Sequence, residues 1–91
     1  MAQPRSRDER AKQLLQSRQL AYQRVFAGAA SPADVKIFMA DLARFCRADE
    51  STFHPDPRVA ANLDGRREVW LRVQEHLNLG PDELWERHRP R

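Results

Sequence analysis

Ninety-one residues give room for one domain, and sixteen lysines and arginines against thirteen acids leave a formal charge of +3. The single cysteine excludes an internal disulfide and a cysteine-built zinc site, and no apolar run approaches the roughly 20 residues that span a bilayer. A chain this short buries only about 60–65% of its unfolded surface, so its core is marginal and oligomerisation or docking would add stability.

Residues 1–5 are polar, contain Pro4 and read as a frayed arm. Ser6 followed by Glu9 fits a capping box, which opens a helix running to about Ala27, with Gly28 as its stop. Its apolar stripe is Ala11, Leu14, Leu15, Ala21, Tyr22, Val25 and Phe26, with Arg18 projecting from the middle and Leu20 opposite. Ser31, Pro32 and Asp34 open a second helix, expected to end near Ala48. Val35, Phe38, Met39, Leu42, Phe45 and Cys46 lie at i, i+3, i+4, i+7 spacing, and this wide stripe needs neighbouring segments to cover it. Ile37 lies off it.

Residues 49–56 break the period, and Pro55 and Pro57 forbid a continuous helix. They read as an ordered loop with Phe53 as its anchor into the core. Asp56 and Pro57 open a third helix, reaching about Leu77, with the stripe Val59, Leu63, Val69, Trp70, Val73 and Leu77. Gly65 interrupts it at about 1 kcal/mol against Ala, which suggests close approach of another helix. Arg66 lies within the stripe, and Leu71 lies outside it. After Asn78-Leu79-Gly80, Pro81-Asp82-Glu83 open a short last helix carrying Leu84 and Trp85, followed by a flexible tail at 87–91. No strand pattern or internal repeat stands out.

The charge is uneven: residues 1–30 hold six bases and two acids, residues 31–64 four and six, and residues 65–91 six and five. Fourteen of the bases are arginine, suited to bidentate carboxylate or phosphate contacts. Arg5, Arg7, Arg10 and Lys12 are candidate phosphate contacts for duplex DNA. Acids interleave with them and no helix-turn-helix spacing appears, so a solvated helix face explains them equally well. Residues 1–10 carry no apolar segment of a signal peptide, which points to a reducing cytoplasm.

Catalytic chemistry finds little support. No two of His54, His76 and His88 share a helical face, so surface histidine outweighs metal ligand by roughly ten to one. Cys46 reads as a small buried apolar residue. There is no nucleophile elbow, glycine-rich phosphate loop or convincing acid pair. The expectation is a non-enzyme without cofactor or metal. Arg66 on a core face needs a partner, because an unpaired buried charge costs several kcal/mol. Asp41, Asp49 or a carbonyl of the 49–56 loop are its candidates, so Arg66 is expected to pin that loop. Arg67 is left for solvent or a partner. Arg18 is either paired in the same manner or snorkels at the stripe's edge. Leu20, Ile37 and Leu71, with Trp85, hint at a second apolar surface for protein contact; the alternative is that the stripes are drawn too narrow.

Several short pieces stand in order over roughly residues 22–79: Tyr22-Gln-Arg-Val-Phe26, Asp41-Leu-Ala-Arg-Phe-Cys46 with Ser51-Thr-Phe53, Asp56-Pro57, Gly65-Arg-Arg67 with Trp70-Leu-Arg-Val73, and Leu77-Asn-Leu79. Together they resemble a small family encoded by tailed bacteriophages and named after a Bordetella phage protein. Its members are encoded among head, portal and packaging genes, so the resemblance implies a virion or assembly component. It carries over no catalytic residue. The expected fold is all-α, one domain forming a small three-helix bundle with a short fourth C-terminal helix, packed around Phe38, Leu42, Phe45, Leu63, Trp70 and Val73. The expected role is a structural or accessory virion protein docking on head, portal or neck proteins, in symmetric copies if it oligomerises, with the host cytoplasm as its place during assembly. The competing role is a DNA-binding or packaging accessory factor.

Overall fold

A computed structural model describes residues 6–90. Each helix begins where a short side chain or a proline suits the unpaired N–H groups of a first turn. Ser6 Oγ accepts from the Glu9 N–H at 3.2 Å, and α1 follows, Arg7–Phe26. α2, Pro32–Phe45, starts on a reciprocal pair: Ser31 Oγ accepts from the Asp34 N–H at 3.1 Å, and Asp34 Oδ2 accepts from the Ser31 N–H at 3.0 Å. This is a capping box with Asp in the place of Glu. Before α3, Pro57–Asn78, the Asp56 carboxylate accepts from the Arg58 N–H at 2.8 Å. α4, Pro81–His88, has no side-chain cap, but Asp82 and Glu83 in its first turn and Arg87 and His88 in its last suit the helix dipole. No strand occurs among the described residues.

Two helix ends share one device. After α1, Gly28 takes φ +72°, its N–H donates to the Val25 carbonyl, and the Ala29 N–H donates to the Arg24 carbonyl. After α2, the same two bonds run from Arg47 to Arg44 and from Ala48 to Ala43, with Arg47 at φ +58°. Both are Schellman motifs. The second closes α2 at Phe45, short of the expected Ala48, because the left-handed residue reverses the chain. α4 runs to His88, so residues 87 and 88 are helix and not tail.

Contacts divide the chain into two compact units, one ending at Asp41 and one beginning at Leu42. In the first, α1 pairs with the start of α2. The Phe38 ring meets Tyr22 edge-on at 4.7 Å between centroids and Phe26 at 6.0 Å, contacts worth about 0.5–1.5 kcal/mol each beyond area burial. Ala21 is fully buried. In the second unit the buried apolar residues are Cys46, 2% exposed, and Leu63, while Leu42, Trp70 and Val73 are half-buried.

Three expectations are corrected here. Phe45 is 57% exposed and is not a core residue; its ring instead receives the Arg66 guanidinium. Phe53 is exposed and anchors nothing, because local bonds shape its loop: Ser51 Oγ accepts from the Phe53 N–H and His54 Nδ1 from the Asp56 N–H. Beyond its own turn of helix, no atom lies within 4 Å of where a Gly65 side chain would project, so that glycine faces open space and not a closely packed neighbouring helix.

Candidate docking surfaces and polar clamps

Asp41 sits on α2 opposite two donors of α1. Arg18 Nη1 donates to its Oδ1 at 3.0 Å and the Tyr22 hydroxyl to its Oδ2 at 2.6 Å. Charge-assisted bonds of this kind are the strong ones, and here they tie the two helices together. Two turns away, Arg24 Nη1 donates to Asp34 Oδ1 at 3.2 Å. Asp34 is 7% exposed. The Ser31 N–H, with its hydroxyl and Arg24 adding to it, holds the Asp34 carboxyl below its ordinary value of 3.8, against an opposing effect of burial. Arg18 is therefore paired, one of its two expected outcomes, and Asp41 serves Arg18 and Tyr22.

In the second unit the arginines exchange roles. The Arg66 guanidinium stacks 4.4 Å from the centroid of the Phe45 ring, a cation–π contact. No hydrogen bond or ion pair joins Arg66 to Asp49 among the described residues. Arg67 holds the loop instead: Nη1 donates to the Glu50 carbonyl and Nη2 to the Ala48 carbonyl, each at 3.4 Å. Arg47 braces the same loop through Glu50 at 2.8 Å and the Ser51 carbonyl at 3.3 Å. Arg67 is thus half-buried and engaged, not free for a partner.

A clamp that the sequence did not suggest closes the C-terminal hairpin. Glu75 of α3 receives His88 Nε2 at 2.7 Å and Arg87 Nη1 at 3.5 Å, both from α4. The His88 hydrogen bond is the main cause holding the Glu75 carboxyl below 4.5; the charges of His88, Arg87 and Arg72 add to it and burial opposes. Residues 12 and 13 positions apart meet because Leu79 and Gly80 turn the chain back. The turn was legible in Asn78-Leu79-Gly80-Pro81; the acid and bases spaced about it were the available signal.

The exposed apolar side chains outnumber the expected four. Leu20, Ile37, Leu71 and Trp85 are exposed, and so are Leu14, Leu15, Phe26, Val35, Phe45, Val59, Val69 and Leu77. Leu14, at 74%, belongs to the α1 stripe expected to face a core. Residues 6–17 of α1 are exposed throughout, so Leu14 and Leu15 of that stripe stand largely in solvent. Arg7, Arg10 and Lys12 lie on this exposed length, while Arg5 lies outside the described residues.

Among the described residues no group of three or more His, Cys, Asp or Glu side chains is placed to hold a metal ion, and no helix is long and apolar enough to cross a membrane. Comparison with curated proteins and with solved structures gave no match. One comparison did match, over residues 22–87, which runs from the Tyr22 of the Asp41 clamp to the Arg87 of the Glu75 clamp and leaves the basic start of α1 outside; on that match the chain belongs to the Bbp19-like phage protein family.

Proposed function

We propose that this protein is a non-enzymatic structural or accessory component of a tailed-phage particle, docking through exposed helix faces onto head, portal or neck proteins. The observation that carries this reading is the apolar exposure. Monomeric proteins scatter single apolar residues over their surface, whereas thirteen large ones stand exposed on these helices and the loop beside them. A contact surface of that kind gains stability when a partner removes it from water, at about 25 cal/mol per Å². Family membership supports a partner among phage proteins. The protein would then reside in the virion and, during assembly, in the host cytoplasm; light scattering of the purified chain distinguishes a homo-oligomer from a monomer. Mass spectrometry of purified particles and assembly intermediates tests the reading directly. Absence from both overturns it.

A second reading rests on Arg7, Arg10 and Lys12, exposed together on the first turns of α1. It makes the protein a DNA-binding accessory factor in packaging. It predicts salt-dependent binding to duplex DNA, lost when Arg5, Arg7, Arg10 and Lys12 become alanine. No binding at low salt ends it.

A further inference from the structure

The end of α3 and α4 enclose an open groove of about 570 Å³, lined by Arg72, His76, Pro81, Leu84, Trp85 and His88. That volume lies within the usual range for ligand sites, roughly 300–1,000 Å³. Pro81, Leu84, Trp85 and His88 stand at i, i+3, i+4 and i+7, so one face of α4 forms one wall. The acids of α4, Asp82, Glu83 and Glu86, fall on its other faces. Every ionisable side chain lining the groove is a base.

The hydrogen-bonding inventory points the same way. The Arg72 guanidinium donates no hydrogen bond to any described residue, and its charge reaches Glu75 only through space. His76 Nδ1–H donates to the Arg72 carbonyl at 2.9 Å, which fixes that ring and leaves Nε2 without a partner among the described residues. The Trp85 indole is 61% exposed, with its N–H likewise unpaired there. His88 is held to Glu75, its ring 5.8 Å from that of His76. Arg72 and Trp85 are donors without acceptors, and their complement is an acceptor-only group, the ionised carboxylate. Trp85 and Leu84 add an apolar wall for the residue beside it.

From this geometry we propose that the α3–α4 groove docks an acidic segment of a partner protein, in which an aspartate or glutamate stands next to a large apolar side chain. This deepens the docking role above and rests on it. Charge argues against a nucleic-acid strand: a polyanionic backbone continuing past the groove would meet Asp82, Glu83 and Glu86, whereas a short peptide carboxylate need not. Arg89, which follows α4, is not the occupant, because it pairs with Glu86 at 3.5 Å and its side chain carries the wrong charge.

The test titrates the isotope-labelled full chain with two synthetic peptides, one with leucines among glutamates and one with glutamines in their place. The acidic peptide is expected to shift the amide signals of residues 72–76 and 81–88 and the Trp85 indole signal. Binding should weaken at least about tenfold with the glutamine peptide, and likewise in Arg72→Glu and Trp85→Ala; circular dichroism establishes that both variants remain helical. Equal binding of the two peptides overturns the proposal. So do shifts elsewhere, tighter binding of a single-stranded oligonucleotide at the same signals, or self-association through them. In particles, wild type present with Arg72→Glu excluded supports the proposal. Equal incorporation of the two overturns it and leaves the virion role standing; absence of both overturns the virion role itself.

Discussion

Two helix pairs in this protein are closed by the same arrangement, a carboxylate on one helix taking two donors from the other. In the α1–α2 pair Asp41 takes Arg18 and Tyr22. In the α3–α4 pair Glu75 takes Arg87 and His88. Their surroundings differ. The Asp41 clamp stands beside the Tyr22–Phe38 ring contact and the buried Ala21, so polar bonds and apolar packing reinforce each other. α4 buries no residue fully and is eight residues long, too short to hold helical form alone. It is held by half-buried Leu84, the Glu75 clamp and the exposed His76–His88 ring contact. A shared polar motif therefore does not confer shared permanence; the apolar area beside it decides.

The comparison is broken most severely at Asp41. Asp41→Ala removes the carboxylate that accepts from Arg18 and the Tyr22 hydroxyl in a partly buried setting and is expected to cost about 2 kcal/mol, a fall of roughly 10 °C in Tm on thermal melting. Lowering the pH attacks the carboxylates of both units. Asp34 and Glu75 titrate below their ordinary values of 3.8 and 4.5 in the folded chain. The unfolded chain takes up protons first. Their stabilisation is thus full above about pH 5 and is lost as pH falls through those values and then through the lower folded ones. Melts between pH 6 and pH 3 should show Tm falling only at the acid end, and a Tm that rises on acidification would contradict the assigned directions.

Gly28→Ala forces a side chain into the left-handed region at φ +72° and is expected to cost about 1 kcal/mol in urea unfolding. The smallest global effect belongs to Glu75→Gln. The global melt should barely change, while amide exchange of residues 84–88 quickens as α4 detaches locally. An equal loss of global stability at Asp41 and at Glu75 would erase the distinction between the two pairs.

The helices were legible because their boundaries are local chemistry. Ser6, Ser31 with Asp34, and Asp56 with Pro57 each satisfy or spare an N–H within a few residues, so no distant information is needed. Gly28 announced itself for the same reason. Arg47 did not, since an arginine at positive φ is stabilised by Glu50 and Ser51, partners whose positions follow from the loop path. The exchange between Arg66 and Arg67 has a similar origin. Adjacent residues on a helix point about 100° apart, and which one reaches the carbonyls of Ala48 and Glu50 depends on where the loop runs. Apolar spacing gave the stripes of α1 and α2, but periodicity cannot say what covers them, as Leu14 and Phe45 show. The groove at α4 was foreshadowed only by Trp85.

Cys46 is the chain's one thiol and is 2% exposed. An accessible thiolate is the nucleophile that attacks thiol reagents, so labelling at Cys46 has to wait for the surrounding helices to part. The modification rate is then a stopwatch on that opening, requiring no introduced dye or mutation. Added phage proteins that engage this half of the molecule should slow the stopwatch, which turns a plain chemical assay into a screen for the natural partner.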